Sequence, residues 1–237
     1  VDRPLPNQFN HQSSTTSIFM STASSDQDMF NQITTAIGKT ASTLVSVSFF
    51  VLLAYRRDAL ILTMWIGVIL NAVLSKVAKK ILDHERPAGL QSNDNVKLKP
   101  SDGGMPSSHA MSLGFVGTVI TGGVIPVEHR VVAGVAMAVY SAFALRYRIK
   151  GHLHTTEQVV VGLGLGIGNA LAWLKFGVGC NDNVGPVLSW VRNNFVSAET
   201  DLFPYTALSV PIVVGTLIVG SFERWIALWL KNRGKED

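Results

Sequence analysis

Long apolar runs alternate with short polar segments along most of the chain, and these runs carry no Asp, Glu, Lys or Arg. Each run approaches the roughly 20 residues that cross a bilayer, and most are bounded by Arg or Lys that can extend to the membrane surface. A helix of a soluble protein would instead keep one polar face. The pattern therefore predicts an all-α, polytopic membrane protein with about six membrane-spanning helices. The predicted spans cover residues 40–55, 59–75, 107–124, 131–145, 159–174 and 205–220.

The first part of the chain has a different composition. Residues 1–28 are polar, rich in Ser and Thr and without apolar periodicity, so we predict a disordered leader there and a membrane domain over residues 29–237. A segment of this kind is typical of an organelle transit peptide and equally of a plain flexible tail.

Charge and cysteine content narrow the possible functions. The net charge of +4 comes from loops and tails beside the apolar runs, where membrane-flanking cations explain it, so it does not indicate nucleic-acid binding. The single cysteine, Cys180, excludes an internal disulfide and offers no thiolate cluster for a metal.

Cationic side chains recur after the second and fourth runs. Lys79 and Arg86 are about two helical turns apart, so both can reach one anion from one helix face. Arg148 and His154 follow the fourth run. Because an even number of spans separates these segments, all of them are predicted to lie on the same side of the membrane.

A third polar motif opens the third run. Pro106 precedes Ser107, Ser108 and His109, so the first backbone amides of the next helix have no partner within that helix. The positive end of the helix dipole lies there too, and this combination is a natural seat for a phosphate.

Together the three motifs can neutralise a phosphate and attack it. Fixed cations, hydroxyls and amides offset the charge that would otherwise repel a nucleophile. Two histidines, His109 and His154, permit a double displacement, in which one imidazole attacks phosphorus while the other protonates the departing oxygen. The residues predicted to bind the phosphate are Lys79, Arg86, Ser107, Ser108 and Arg148.

This three-part pattern resembles the signature of the type 2 phosphatidic acid phosphatase superfamily, which also includes vanadium haloperoxidases. The resemblance implies a six-helix membrane core and metal-independent hydrolysis, without a cofactor, through a phosphohistidine intermediate. It also implies that His154 is the nucleophile and His109 the general acid.

Two positions depart from the usual pattern. Ser108 replaces a glycine, but its backbone amide survives. Gln158 stands where an Asp is usual, one helical turn after His154, and its amide oxygen can accept a hydrogen bond from the imidazole but cannot stabilise a positive charge as a carboxylate can. We therefore include Gln158 in the catalytic set, with Glu157 as the lesser candidate, and expect a preference for a reactive bond such as a diphosphate.

The run from His154 to Val159 is similar to both dolichyl diphosphatases and the plant chloroplast lipid phosphate phosphatases of the epsilon group. The first relationship implies a polyprenyl diphosphate substrate and the endoplasmic reticulum; the second implies phosphatidate and the chloroplast envelope. The alternative from another class is a membrane protein that binds lipid phosphate without turnover. A haloperoxidase is less favoured, since those relatives are soluble.

Two further patterns concern packing. Gly162, Gly164, Gly166 and Gly168 form overlapping small-x-x-x-small repeats that predict close contact between helices. Residues 186–195 begin with proline and are amphipathic, which predicts a short helix in the membrane interface.

Overall fold

The computed structural model describes residues 12–82, 84, 103–180, 183–208, 213 and 217, with the backbone alone for 12–25, 180, 207 and 208. The described part of the chain is helical apart from turns and one very short strand pair. Its α-helices are α1 (Gln12–Arg56), α2 (Ala59–Leu82), α3 (Ser108–Val119), α4 (Arg130–Lys150), α5 (Thr156–Ala172) and α6 (Pro186–Phe195). Single π turns extend α3 over Ile120–Val124 and α5 over Trp173–Val178.

Four helices in the described part of the chain are long and apolar enough to cross a membrane. These segments are Asp26–Arg56, Ala59–Leu82, Val127–Lys150 and Thr156–Val178. The chain is therefore a helical, polytopic membrane protein, as the hydrophobic pattern predicts.

The third and sixth predicted spans have different outcomes. The third corresponds to α3 and its π turn, a shorter central helix that packs against α2, α4 and α5. Most of the sixth lies outside the described residues, and its first residues form a 3₁₀ turn, Tyr205–Leu208. The total of six spans remains a prediction.

The leader boundary also differs from the helix boundary. Helix α1 begins at Gln12, well inside the segment predicted to be disordered, and continues without a break through Met29. The predicted limit between leader and membrane domain is therefore not the end of an element. Residues 1–11 lie outside the described residues.

The turn between α1 and α2 is fixed by one acidic residue. Asp58 precedes α2, and its Oδ1 accepts a 2.8 Å hydrogen bond from the Ile61 amide, which caps the helix. Its Oδ2 also pairs with Arg56 at 2.7 Å. Nearby, the carbonyl of Arg57 accepts a 2.9 Å bond from the Phe203 amide, so the segment after α6 is anchored to this turn.

The short helix after the fifth span is confirmed. Helix α6 starts at Pro186 and places Val191, which is fully buried, in the core formed by α1, α2 and α3. A two-residue antiparallel pair, β1 (Gly179–Cys180) with β2 (Asn183–Val184), leads into it.

The glycines of α5 explain how closely α3 approaches. A Cβ built on Gly162 would lie 2.6 Å from the Ser107 carbonyl oxygen, and one on Gly166 would overlap the Met111 carbonyl. Gly164 and Gly168 have nothing within 4 Å of such an atom. The predicted close packing is therefore confirmed for Gly162 and Gly166, whereas Gly164 and Gly168 face away from this contact.

We expect Gly162→Ala to destabilise the protein by about 1–3 kcal/mol, because the added methyl pushes α3 away from α5. Thermal unfolding in detergent measures the effect. Gly164→Ala is the matched control, since it adds the same methyl to open space and gains helix propensity of up to about 1 kcal/mol. Equal effects of the two substitutions would contradict this account of the helix contact.

Candidate active site

The described parts of the three motifs meet at one end of the bundle, where α2 and α4 end and α3 and α5 begin. Helix α3 packs against α2, α4 and α5. The end of α4 is also joined to His154 by the following turn, in which the Leu153 amide donates to the Arg148 carbonyl at 3.1 Å. The described motif residues thus lie at one end of the bundle, which is what their predicted placement on one side of the membrane requires. Arg86 lies outside the described residues.

His154 occupies the centre of this arrangement and is nearly buried. Its Nδ1 lies 3.1 Å from the Gly104 carbonyl oxygen and 3.1 Å from Gln158 Oε1. A carbonyl oxygen can only accept, so Nδ1 carries the proton and donates to both oxygens. In the neutral imidazole this tautomer leaves the lone pair on Nε2, which is the nitrogen able to act as a nucleophile.

Gln158 is fully buried, and its orientation is set by the first turn of α5. The Thr155 hydroxyl accepts a 3.2 Å hydrogen bond from the backbone amide of Gln158. In return, the side-chain oxygen Gln158 Oε1 accepts a 3.2 Å bond from the backbone amide of Thr155. This is a capping box, and it holds the amide oxygen on the side of His154. The geometry that the sequence predicts for Gln158 is present; its role in catalysis remains a prediction.

Ser107 connects the second motif to the third. Its backbone amide donates a 3.0 Å hydrogen bond to the backbone carbonyl of Gln158. This contact is possible because Gly162 has no side chain. The Ser107 Oγ is fully buried and has no hydrogen-bond partner among the described residues. Buried hydroxyls are normally paired, so this one is suited to a ligand that enters the site.

A polar stripe on α2 faces the same region. Asn71, Ser75 and Lys79 recur at four-residue intervals, and all three are buried. Ser75 Oγ donates to Ser108 Oγ at 3.1 Å, which joins the stripe to the start of α3. Deeper in the bundle, Asn71 Oδ1 accepts a 2.9 Å bond from Asn169 of α5.

The remaining predicted residues border the site. Arg148 is half-buried near the end of α4, and His109 is half-buried in the first turn of α3. His109 and Ser108 also line a cavity of about 390 Å³ between α1, α2 and α3. Most of its other lining residues are apolar, and they include Val45, Phe49, Trp65, Ile69 and Val116.

Sequence reasoning missed four contributors. His84 and Gly104 contact the His154 network, and neither residue type nor spacing marks them without the fold. Asn71 and Ser75 carried a usable signal, because they continue the helical face of Lys79 as polar positions in an apolar run.

We expect Ser107→Ala to leave the free energy of unfolding unchanged or slightly higher, since it removes a buried hydroxyl that has no described partner. Ser75→Ala is the contrast, because it removes one partner of the bond to Ser108 and should cost about 1 kcal/mol. Thermal unfolding of both variants in detergent tests this. A clear loss of stability in Ser107→Ala would show that its hydroxyl is paired within the protein.

Comparisons with known proteins identify the family of this chain. The model of the PAP2 superfamily matches residues 59–181, which include α2, α3, α4, α5 and the site between them.

Two proteins of Arabidopsis thaliana are similar to the chain. Lipid phosphate phosphatase epsilon 1, chloroplastic, is 35% identical over 146 residues, which are 58% of this chain and 48% of that protein. Lipid phosphate phosphatase epsilon 2, chloroplastic, is 36% identical over 135 residues, which are 55% and 44%. The chain thus spans about half the length of these relatives. No solved structure matches it significantly.

Proposed function

Since the chain belongs to the PAP2 superfamily, we propose that it is an integral membrane enzyme that hydrolyses a lipid phosphate or diphosphate. The observation that carries the proposal is the fixed tautomer of His154, whose Nδ1 proton is held by Gly104 and Gln158. To attack phosphorus through Nε2, the imidazole must be neutral and carry its lone pair on that nitrogen.

The proposed reaction has two displacements. His154 Nε2 attacks phosphorus, the bond from phosphorus to the leaving oxygen breaks, and His109 donates a proton to that oxygen. His109 then takes a proton from water, whose oxygen attacks the phosphohistidine and releases orthophosphate with His154 restored. Ser107, Ser108, Lys79, Arg86 and Arg148 are proposed to hold the phosphate oxygens in both steps.

Gln158 bears on the choice of substrate. Its neutral amide keeps the His154 tautomer but gives less stabilisation to the positive charge that develops on the ring during attack. A substrate with a better leaving group needs less of that stabilisation, which favours a polyprenyl diphosphate, whose leaving group is a lipid monophosphate. Phosphatidate is the second candidate, and the names of the two relatives, which refer to lipid phosphate, are compatible with both.

The location is proposed as an organelle membrane. The relatives are described as chloroplastic, which favours the chloroplast envelope over the endoplasmic reticulum. The apolar helices require a bilayer in either case.

The apolar cavity supports a lipid substrate. It contains His109 and Ser108 at the end where the phosphate is proposed to bind, and it continues along α3 to Val116. That distance is about 12 Å along the helix axis, at about 1.5 Å per residue. Its apolar walls are suited to part of a hydrocarbon chain whose phosphate lies at the membrane surface.

The first test is phosphate release by the purified full chain, with chelator present, from polyprenyl diphosphate and from phosphatidate side by side. We expect His154→Ala to lower turnover by at least about a thousandfold on whichever lipid is used, because the nucleophile is lost. His129→Ala, which removes an exposed histidine outside the motifs, should match the wild type.

Each outcome has a defined meaning. Release from one lipid, absent in His154→Ala, supports the enzyme and selects the substrate. Equal turnover by His154→Ala would reject the assigned nucleophile. Lipid binding without release by folded wild-type protein would favour the non-catalytic alternative, which the Gln158 substitution motivates.

A second prediction concerns the cavity. Ser46→Phe places a large ring among the lining residues, so we expect kcat/KM for the long-chain lipid to fall about tenfold, equivalent to about 1.4 kcal/mol. Hydrolysis of a short, water-soluble phosphate ester should change little. Val47→Phe is the matched control, because Val47 is the next residue on α1 and does not line the cavity. A similar loss in both variants, or on both substrates, would contradict a lipid-chain site.

A further inference from the structure

We propose that His84 is a positioning residue that holds both acceptors of the His154 Nδ1 proton in place. This inference rests on the proposed function, since it concerns the nucleophile of that reaction. It arises from two separate contacts of His84, one through its ring and one through its backbone.

The ring contact involves the far end of the Gln158 amide. Gln158 Nε2 lies 3.4 Å from His84 Nδ1. Because Gln158 Oε1 already accepts from Thr155 and His154, the other end of the amide is the NH₂ group, which donates. His84 Nδ1 must therefore be the acceptor in this contact.

The backbone contact involves the other acceptor. The Gly104 amide donates a 2.6 Å hydrogen bond to the His84 carbonyl, and the Gly104 carbonyl accepts from His154. The same residue thus contacts both groups that receive the His154 proton. His84, two residues after the end of α2, thereby links the segment before α3 to the first turn of α5.

The requirement for such a residue follows from glutamine itself. A carboxylate presents two equivalent oxygens, so either can face the imidazole. An amide has one accepting end and one donating end, and only one orientation lets Gln158 accept the His154 Nδ1 proton beside Gly104. Gln158 is fully buried, so its NH₂ group also needs an acceptor. His84 Nδ1 supplies that acceptor.

The kinetic test uses His84→Phe, which keeps a ring but removes the acceptor. We expect kcat to fall about tenfold, since the nucleophile loses its fixed orientation. KM should stay within about a factor of two, because no contact to the phosphate or the lipid chain is removed. His84→Asn should restore most of the activity, because its Oδ1 occupies the position of Nδ1. If His84→Phe does not fold, His84→Gln replaces it, since its polar atoms extend beyond that position.

A double-mutant cycle separates positioning from a general structural role. Gln158→Leu removes the amide through which the His84 ring acts, so His84→Phe should cause little further loss of kcat in that background. Losses that multiply in the double variant would overturn the proposal. So would a His84→Asn variant as impaired as His84→Phe.

A spectroscopic measurement keeps the inference testable apart from turnover. In protein labelled with ¹⁵N-histidine, the His154 signals, identified by their absence in His154→Ala, should report the Nδ1–H tautomer. His84→Phe should introduce a measurable Nε2–H population. An unchanged tautomer would reject the inference even if the enzyme is active. Absence of phosphate release from the wild type, by contrast, would reject the proposed function. The tautomer measurement would still test the role of His84.

Discussion

The close approach of α3 to α5 is the constraint on which the site depends. The backbone amide of Ser107 can donate to the backbone carbonyl of Gln158 only because Gly162 leaves room for the α3 backbone. This contact brings the start of one helix against the first turn of another, so two segments far apart in sequence share one hydrogen-bond network. A side chain at Gly162 or Gly166 would separate them, which is why small residues at these two positions matter more than the other glycines of α5.

The cost of burying polar groups explains the rest of the network. In an apolar bundle, each amide or imidazole removed from water needs a partner. Gln158 has partners at both ends of its amide, and Asn71 is bonded to Asn169 at the level of the apolar core. Such pairs fix the relative rotation of α2, α3 and α5. The Ser107 hydroxyl, with no described partner, stands apart from this pattern at the place where a phosphate is proposed to bind.

Gln158 places a neutral amide at a position where the family signature usually has an acid. An acid at this position would hold the His154 proton and also stabilise the charged ring; the amide does only the first. The structure therefore contains an oriented imidazole, the proposed nucleophile, with a neutral amide rather than a carboxylate beside it. In the proposed reaction, Gln158 therefore favours a substrate with a better leaving group. The proposed role of His84 is to keep the Gln158 amide in the orientation that this requires.

The sequence by itself determined the class of fold and which described motif residues lie together. Uncharged apolar runs indicate membrane helices because a bilayer admits few other structures, and the order of the motifs places Lys79, Ser107, Ser108, Arg148 and His154 at one end of the bundle. The sequence also indicated that Gln158 can reach His154, although His154 precedes α5 and the capping box, rather than a shared helical turn, brings the two together. Helix boundaries were less determined: α1 begins at Gln12, inside a polar segment that composition alone assigns to a leader. Only the tertiary structure decided which glycines of α5 face α3, which tautomer His154 adopts, and that His84 and Gly104 complete the network. Those facts depend on contacts between residues distant in sequence, and no local pattern of residue types specifies them.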